Sequence, residues 1–382
     1  MTATALIEVR STPDEGKAGR FYRPELDCLR FFAFFAVFLY HTLSGDPSYY
    51  AARHVPFGGL IASAASAGRF GVDLFFLLSA YLITELLLRE QEQFGQLDLR
   101  SFYLRRILRI WPLYFLGILI GVLLPLVDPS EHFSPTFAAA FVLMSGNWLI
   151  SFGVPPHSVM ASLWSVSFEE QFYLLWPAFI SRARRGKPLL YACGILLLIA
   201  TIARQILLRD AQARHSEVAI FTNTLTRLDP LALGIATAVF LRRRQLHLSR
   251  TTRLLLLGAG SALCITAGHF YHLTRSFMLV GYPAAAVGSL LIFLSVRGST
   301  IAPRWLRYLG KISYGLYVFH DLALYLSLKV FGGFVHNLRA FVGYWCVGLS
   351  LTLCMAALSY QFFESPFLRL KERYARVKSR PV

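Results

Sequence analysis

The chain has 382 residues, of which 55% are hydrophobic and only 15% are charged. A soluble domain carries about 25% charged residues, so the composition excludes an ordinary soluble protein. Long uncharged apolar stretches recur along the chain and predict an all-α, polytopic membrane bundle. The net charge of +17 requires no nucleic acid, because the basic residues stand in short loops between apolar stretches.

The two ends of the chain are polar. Residues 1–25 lack the apolar core of a signal peptide and predict a flexible cytoplasmic tail. We expect the membrane domain over residues 26–366, followed by a basic cytoplasmic tail at 367–382. The five cysteines form no Cys-x-x-Cys pair and no histidines have metal-ligand spacing, so no metal is expected.

Eleven apolar segments follow one another along the membrane domain. They are 27–45, 69–88, 109–127, 136–152, 164–181, 189–208, 226–241, 252–270, 277–296, 312–331 and 340–363. Six basic loops and tails alternate with acidic or nearly neutral loops, which predicts that both termini are cytoplasmic. Eleven crossings would put the two termini on opposite sides of the membrane and so do not fit this alternation. We therefore expect about ten transmembrane helices, with 136–152 or 164–181 re-entrant or tucked against the bundle.

The first segment carries ionisable residues near both of its ends. Arg30 and His41 are eleven residues apart, which is about three helical turns, so they share one face and lie roughly 16 Å apart. Asp27 precedes Arg30 by three residues and can pair with it. Ionisable groups in a membrane helix are costly and by default mark function. The alternative for Arg30 is a side chain that reaches the membrane surface.

Two further stretches add candidate residues. Asp73 stands near the start of segment 69–88. Arg105, Arg106 and Arg109 lie within about one turn of a helix. Arginine forks match phosphate oxygens two at a time, whereas ordinary flanking of a membrane segment is the alternative for any single arginine.

Carboxylates and a histidine also occur inside later apolar segments. Glu169 and Glu170 are adjacent in an aromatic run, where burial, pairing with arginine and contact with headgroup water are all open. Tyr314, Tyr317 and His320 are spaced by three and form one stripe. His320 either lines the same cavity as the first segment or is a hydrogen-bonded structural histidine.

Taken together, these stretches resemble acyltransferase family 3, a family of integral membrane O-acyltransferases. The matching motifs are Arg-Pro-Glu-Leu-Asp-Cys-Leu-Arg at 23–30 with its spacing to His41, the stretch 71–84, the arginine pair in 101–114, Leu-Trp-Ser-Val-Ser-Phe-Glu-Glu-Gln-Phe-Tyr at 163–173, the stretch 312–320 and Phe-Glu-Ser-Pro at 363–366. Ala80 stands where this family usually has glycine.

The resemblance implies ten core spans in a bacterial inner or plasma membrane. It also implies transfer of an acyl group, usually acetyl, from cytoplasmic acyl-CoA to a carbohydrate hydroxyl. Acetyl-CoA is then the donor, and the acceptor is a surface polysaccharide, a lipopolysaccharide or an oligosaccharide. Two alternatives stay open: acylation of a macrolide-type small molecule, and a secondary transporter or flippase, for which no matching inverted halves are visible in the sequence.

The expected roles of the candidate residues follow from this chemistry. Arg106 and Arg109, with Arg105 beside them, hold the CoA phosphates, and Arg30 orders a slot for the pantetheine arm. His41 activates the acceptor hydroxyl as general base. The residues expected to orient His41 or contact the substrate are Asp73, Glu169, Glu170, Tyr317 and His320.

Overall fold

The structure is a computed structural model that describes residues 7–11, 21–129, 131, 134–154, 159–183, 186–209, 216–242, 244–270, 277–331 and 338–377. The described chain is almost entirely helical, as predicted. The helices are α1 (Pro24–Thr42), α2 (Pro47–Ala51), α3 (Gly58–Ala67), α4 (Gly71–Phe94), α5 (Leu99–Val127), α6 (Pro135–Val142), α7 (Gly146–Ser151), α8 (Trp164–Arg182), α9 (Lys187–Arg209), α10 (Ser216–Thr222), α11 (Asp229–Phe240), α12 (Arg250–Phe270), α13 (Met278–Val296), α14 (Arg304–Lys311), α15 (Ser313–Val330), α16 (Leu338–Leu358) and α17 (Ser365–Glu372). Short 3-10 turns and a π-helical turn join some of them: Gly68–Phe70, Ala161–Leu163, Leu225–Arg227 and Ser359–Glu364.

Six stretches within the described residues are long and apolar enough to cross a membrane. They are Gly58–Phe94, Leu99–Val127, Lys187–Arg209, Arg250–Phe270, Met278–Val296 and Arg339–Glu372. Helices α1, α8 and α15 occupy three further predicted segments with 19, 19 and 18 residues. The chain is therefore a multi-pass membrane protein, whereas the count of ten crossings stays a prediction.

Segment 136–152 does not form one continuous helix. It is broken into α6, with 8 residues, and α7, with 6. At 1.5 Å per residue these helices are only about 12 and 9 Å long. Segment 164–181, in contrast, forms the continuous helix α8. The sequence left this choice open; the break favours 136–152 as the tucked segment, and its place in the membrane stays a prediction.

The amino-terminal region contains a strand that the sequence did not predict. Strand β1 (Ile7–Ser11) pairs antiparallel with β2 (Arg244–Leu248), with Ile7 opposite Leu248. The expected flexible tail at 1–25 is thus paired over 7–11, and α1 already begins at Pro24. The polar composition gave no sign of this pairing, because the partner strand lies far along the chain. Residues 1–6 and 12–20 lie outside the described part.

The chain divides into two compact units. The first comprises Met1–Leu97 and Pro177–Gly310, and the second comprises Asp98–Trp176 and Lys311–Val382. In the first unit α4 packs against α1, α11 and α13, and α12 packs along α13. Small residues allow this close packing, as is common between membrane helices: a Cβ at Gly234 would lie 2.4 Å from the Leu77 carbonyl oxygen.

The second unit is organised around α5, α15 and α16. Helix α15 packs along α16, and α17 packs against α5. Asp98 caps the amino-terminus of α5, where its side chain accepts a hydrogen bond from the Ser101 backbone N–H at 3.0 Å. An ion pair of 3.2 Å joins Asp98 to Arg376, just beyond α17. These contacts fix the carboxy-terminal segment beside the helix that carries the candidate arginines.

Candidate functional site

Helix α1 presents its two predicted functional residues at opposite ends. The Asp27 carboxylate is buried and accepts hydrogen bonds from Arg30 Nη1 at 3.0 Å and from Tyr22 Oη at 2.9 Å. The pairing expected from the spacing of Asp27 and Arg30 is therefore present. His41 lies in the last turn of α1, exposed, with its ring 5.1 Å from the Tyr40 ring.

The face of α1 between these two residues is a helix contact. Ala33, Phe34 and Val37, which share this face, are all buried. A Cβ at Gly71 would lie 2.3 Å from the Ala33 carbonyl oxygen, and one at Gly68 would meet the Ala36 carbonyl oxygen at the same distance. In the first unit, close packing against α4 and the preceding turn thus occupies the face where the sequence suggested an ordered slot.

Asp73 lies in the first turn of α4 and belongs to a buried ion pair. Its Oδ1 is 2.6 Å from Arg227 Nη2, and both residues are only 1% exposed. A second buried pair joins Arg204 to Asp229 at 2.5 Å. Sequence reasoning missed these three partners, although the signal was present: charged residues inside the apolar segments 189–208 and 226–241 are as costly as Asp73 itself.

The arginines of α5 are held by aromatic rings and by the carboxy-terminal segment. The Arg106 guanidinium lies 5.5 Å from the centres of both the Phe102 and the Tyr173 rings, a cation–π arrangement. Arg105 donates a hydrogen bond of 2.7 Å to the Tyr374 carbonyl oxygen. Arg109 follows on the same helix and is half-buried. The Arg105 guanidinium carbon also lies 6.0 Å from the Phe102 ring centre, so the two adjacent arginines share one ring and differ in their other partner.

The adjacent carboxylates of α8 have separate partners. Tyr173 Oη donates to Glu169 Oε2 at 2.7 Å, and Trp111 Nε1 donates to Glu170 Oε2 at 3.0 Å. Glu170 Oε1 is buried and has no hydrogen-bond partner among the described residues. Of the alternatives open from the sequence, the structure favours internal use of both carboxylates over an anchor in headgroup water.

Tyr317 and His320 belong to a buried polar cluster in the second unit. Tyr317 Oη donates to the Ser162 carbonyl oxygen at 3.0 Å and lies 2.7 Å from Ser165 Oγ. His320 is fully buried, with Nδ1 2.5 Å from the Tyr317 carbonyl oxygen and Nε2 3.3 Å from Asp321 Oδ1. A carbonyl oxygen only accepts, so Nδ1 carries the hydrogen. Ser162, Ser165 and Asp321 were not identified from the sequence.

The chain matches one protein family over most of its length and is similar to several bacterial proteins. The family model described as "Acyltransferase domain" matches residues 23–361. The chain is 31% identical to the YrhL protein of Bacillus subtilis, over 90% of this chain and 55% of that protein. It is 29% identical to the peptidoglycan O-acetyltransferase OatA of Listeria monocytogenes, over 91% of this chain and 56% of OatA.

A third relative shows the same partial coverage. The O-acetyltransferase OatA of Staphylococcus aureus is 29% identical, over 90% of this chain and 57% of that protein. The chain thus spans somewhat more than half the length of these relatives. No solved structure matches the chain. Because the family match runs from residue 23 to residue 361, this chain belongs to acyltransferase family 3.

Proposed function

We propose that this protein is a membrane O-acetyltransferase that moves an acetyl group from cytoplasmic acetyl-CoA to a hydroxyl of a cell-envelope carbohydrate such as peptidoglycan. The observation that carries the proposal is the match of 91% of the chain to a relative named as a peptidoglycan O-acetyltransferase. The contacts within each unit support it, because costly ionisable side chains are held by specific hydrogen bonds inside apolar helices.

The donor is expected to bind through the arginines of α5. Arg106, held against two aromatic rings, and Arg109 supply planar guanidinium groups that match phosphate oxygens bidentately. Arg30, which is paired with Asp27 in α1, stays a predicted donor-binding residue. Arg105 already donates to the Tyr374 carbonyl oxygen, so we expect its substitution to weaken acetyl-CoA binding less than substitution of Arg106.

The chemical step needs a general base at the acceptor hydroxyl. In the proposed reaction, His41 takes the hydroxyl proton while the hydroxyl oxygen attacks the thioester carbonyl carbon. The carbon–sulfur bond then breaks, and the CoA thiolate receives the proton from His41. The products are the acetyl ester and free CoA. The remaining candidates orient the base or contact the substrate: Asp73, Glu169, Glu170, Tyr317 and His320.

Two measurements on the purified protein in nanodiscs test this function. Acetyl-CoA should raise the melting temperature, because a ligand that binds the native state stabilises it. His41→Ala should lose at least about 100-fold in CoA release, the range expected for loss of general-base catalysis. The matched control is His247→Ala, an exposed histidine in β2. No shift with acetyl-CoA, or normal turnover by His41→Ala, would contradict the proposal.

A further inference from the structure

Helix α11 begins at a break inside the first unit. The chain leaves α10, passes through a 3-10 turn at Leu225–Arg227 and only then enters α11, which has 12 residues. Broken helices in membrane proteins are tolerated where the open backbone is buried in protein or lines a cavity, and transporters bind substrates at such breaks. This break carries two buried charged residues, Arg227 and Asp229.

The two ion pairs at the break differ in how completely they are satisfied. Arg204 and Asp229 form a double contact, with Nη1–Oδ2 at 2.5 Å and Nη2–Oδ1 at 3.0 Å. Arg204 Nη1 also donates to the Thr226 carbonyl oxygen at 2.8 Å. Both carboxylate oxygens of Asp229 are therefore used, and the Thr226 carbonyl oxygen at the break is covered. Arg204 Nε, like Arg227 Nε, is buried without a hydrogen-bond partner among the described residues, so the two pairs differ at the carboxylate. The Arg204–Asp229 pair therefore stabilises the chain at the break.

Asp73 and Arg227 make a single contact. Arg227 Nη2 donates to Asp73 Oδ1 at 2.6 Å, while the Phe221 and Tyr282 ring centres lie 4.9 and 4.5 Å from the guanidinium carbon. Asp73 Oδ2 and Arg227 Nε are buried and have no hydrogen-bond partner in the described part of the chain. Nε–H lies on the same edge of the planar guanidinium as Nη2. The open donor is therefore the neighbour, on one planar group, of the nitrogen that contacts Asp73.

A hydroxyl group matches this combination, because it donates one hydrogen bond and accepts others. An apolar group would leave both open positions unmatched, which is costly at a buried site. We propose that Asp73 Oδ2 and Arg227 Nε form a subsite for a hydroxyl of the carbohydrate acceptor, which donates to Asp73 and accepts from Arg227. This inference rests on the proposed function, which supplies a hydroxyl-bearing acceptor, and it assigns Arg227 as a binding residue.

The substitution Arg227→Lys tests the subsite directly. Lysine keeps the positive charge opposite Asp73 but has no second donor on the same planar edge. The matched control is Arg204→Lys, which makes the same chemical change at the structural pair. Both variants are assayed in nanodiscs with radiolabelled acetyl-CoA and a soluble β-1,4-linked N-acetylglucosamine tetramer as acceptor.

The subsite predicts a selective effect on the acceptor. Arg227→Lys should raise the KM for the tetramer by about 10- to 100-fold, the range for loss of a hydrogen bond to a charged group, and leave the KM for acetyl-CoA unchanged. Arg204→Lys should leave the KM for the tetramer unchanged. If Arg227→Lys does not fold, Asp73→Asn, which keeps the shape and one acceptor oxygen, is measured in the same way.

The outcomes separate this subsite from the proposed function. Equal changes in the KM for the tetramer in both lysine variants would make the Asp73–Arg227 pair structural and overturn the assignment. If the wild-type protein consumes acetyl-CoA at a rate that does not depend on the tetramer, the subsite assignment is also wrong. The use of acetyl-CoA as donor would still be supported. A wild-type protein that neither binds nor consumes acetyl-CoA would refute the proposed function itself.

Discussion

Replacing Gly71 by alanine tests how closely α1 and α4 approach each other. The added Cβ would lie 2.3 Å from the Ala33 carbonyl oxygen and 3.0 Å from Val37 Cγ2, whereas ordinary contact begins at 3.4 Å. The Val37 side chain can change rotamer, but the carbonyl oxygen is fixed within α1. The two helices must therefore separate by roughly 1 Å, which breaks close packing along this contact.

The separation of the two helices lowers the free energy of unfolding by an amount that follows from known substitutions. Inserting a methyl group into a well-packed interior costs about 1–3 kcal/mol. For a cooperative unit of roughly 200 residues, 1 kcal/mol corresponds to about 2–4 °C in melting temperature. Gly71→Ala should therefore lower the melting temperature by about 2–12 °C in detergent. The measurement is thermal unfolding followed by tryptophan fluorescence.

A matched glycine provides the control. Gly258, inside α12, has no atom within 4 Å of an added Cβ. Gly258→Ala should leave the melting temperature unchanged or raise it slightly, because alanine is the better helix former by about 1 kcal/mol. Adding Val37→Ala to Gly71→Ala should recover less than half of the loss, since the Ala33 carbonyl contact remains. Equal melting of Gly71→Ala and Gly258→Ala would refute the close approach of α1 and α4.

A cysteine placed at Ser44, in a background without the native cysteines, should react with a membrane-impermeant thiol reagent applied from outside the cell, whereas one placed at Ser101 should react only after permeabilisation. The reversed pattern would overturn the predicted orientation. Asp98→Ala should lower stability at neutral pH by about 0.5–2 kcal/mol through loss of the α5 cap. Hydrogen bonds from the Ser101 backbone and side chain hold the pKa of Asp98 below its usual value. The capping contribution is therefore full above a pH of about 4 and lost as the pH falls through the lowered pKa. The difference in melting temperature between wild type and Asp98→Ala should shrink in acid, and a difference independent of pH would contradict this.

The sequence predicted the parts of the fold that depend on local patterns. Apolar length located the long helices, and the alternation of basic loops required one segment that does not cross. The break between α6 and α7 favours 136–152 for this role, which stays a prediction. The Asp27–Arg30 pair followed from a spacing of three residues on one helix. Each of these features involves residues that are close together in the chain, so composition and periodicity were enough.

Partners from distant parts of the chain could not be predicted in the same way. Asp73 was recognised as costly in an apolar helix, but its partner Arg227 lies 154 residues away. A buried charge implies that a partner exists, and it does not say which of many arginines provides it. Strand β1 was missed for a similar reason, because its pairing partner begins at Arg244.

The carboxylates that hold the structure differ from those that we expect to meet substrate. Asp27 and Asp229 use both of their oxygens in hydrogen bonds. Asp73 and Glu170 each use one oxygen, and the other is buried without a partner among the described residues. An unmatched carboxylate oxygen is costly in an apolar setting, and the fold of either unit gains nothing from it.

Glu170→Gln tests this distinction in the second unit. Its side-chain oxygen still accepts the hydrogen bond from Trp111 Nε1, so the fold should persist, while the open position changes from an acceptor to a donor. We expect at least about a 10-fold loss of turnover, the effect of one hydrogen bond to a charged group, with little change in melting temperature. Asp229→Asn should do the opposite, because it weakens a buried ion pair in which both oxygens are used. The contrary result is a melting temperature of Glu170→Gln as low as that of Asp229→Asn, with full turnover of the folded variant. In that case the open oxygen of Glu170 is a packing defect, and an open carboxylate oxygen does not mark a substrate site in this protein.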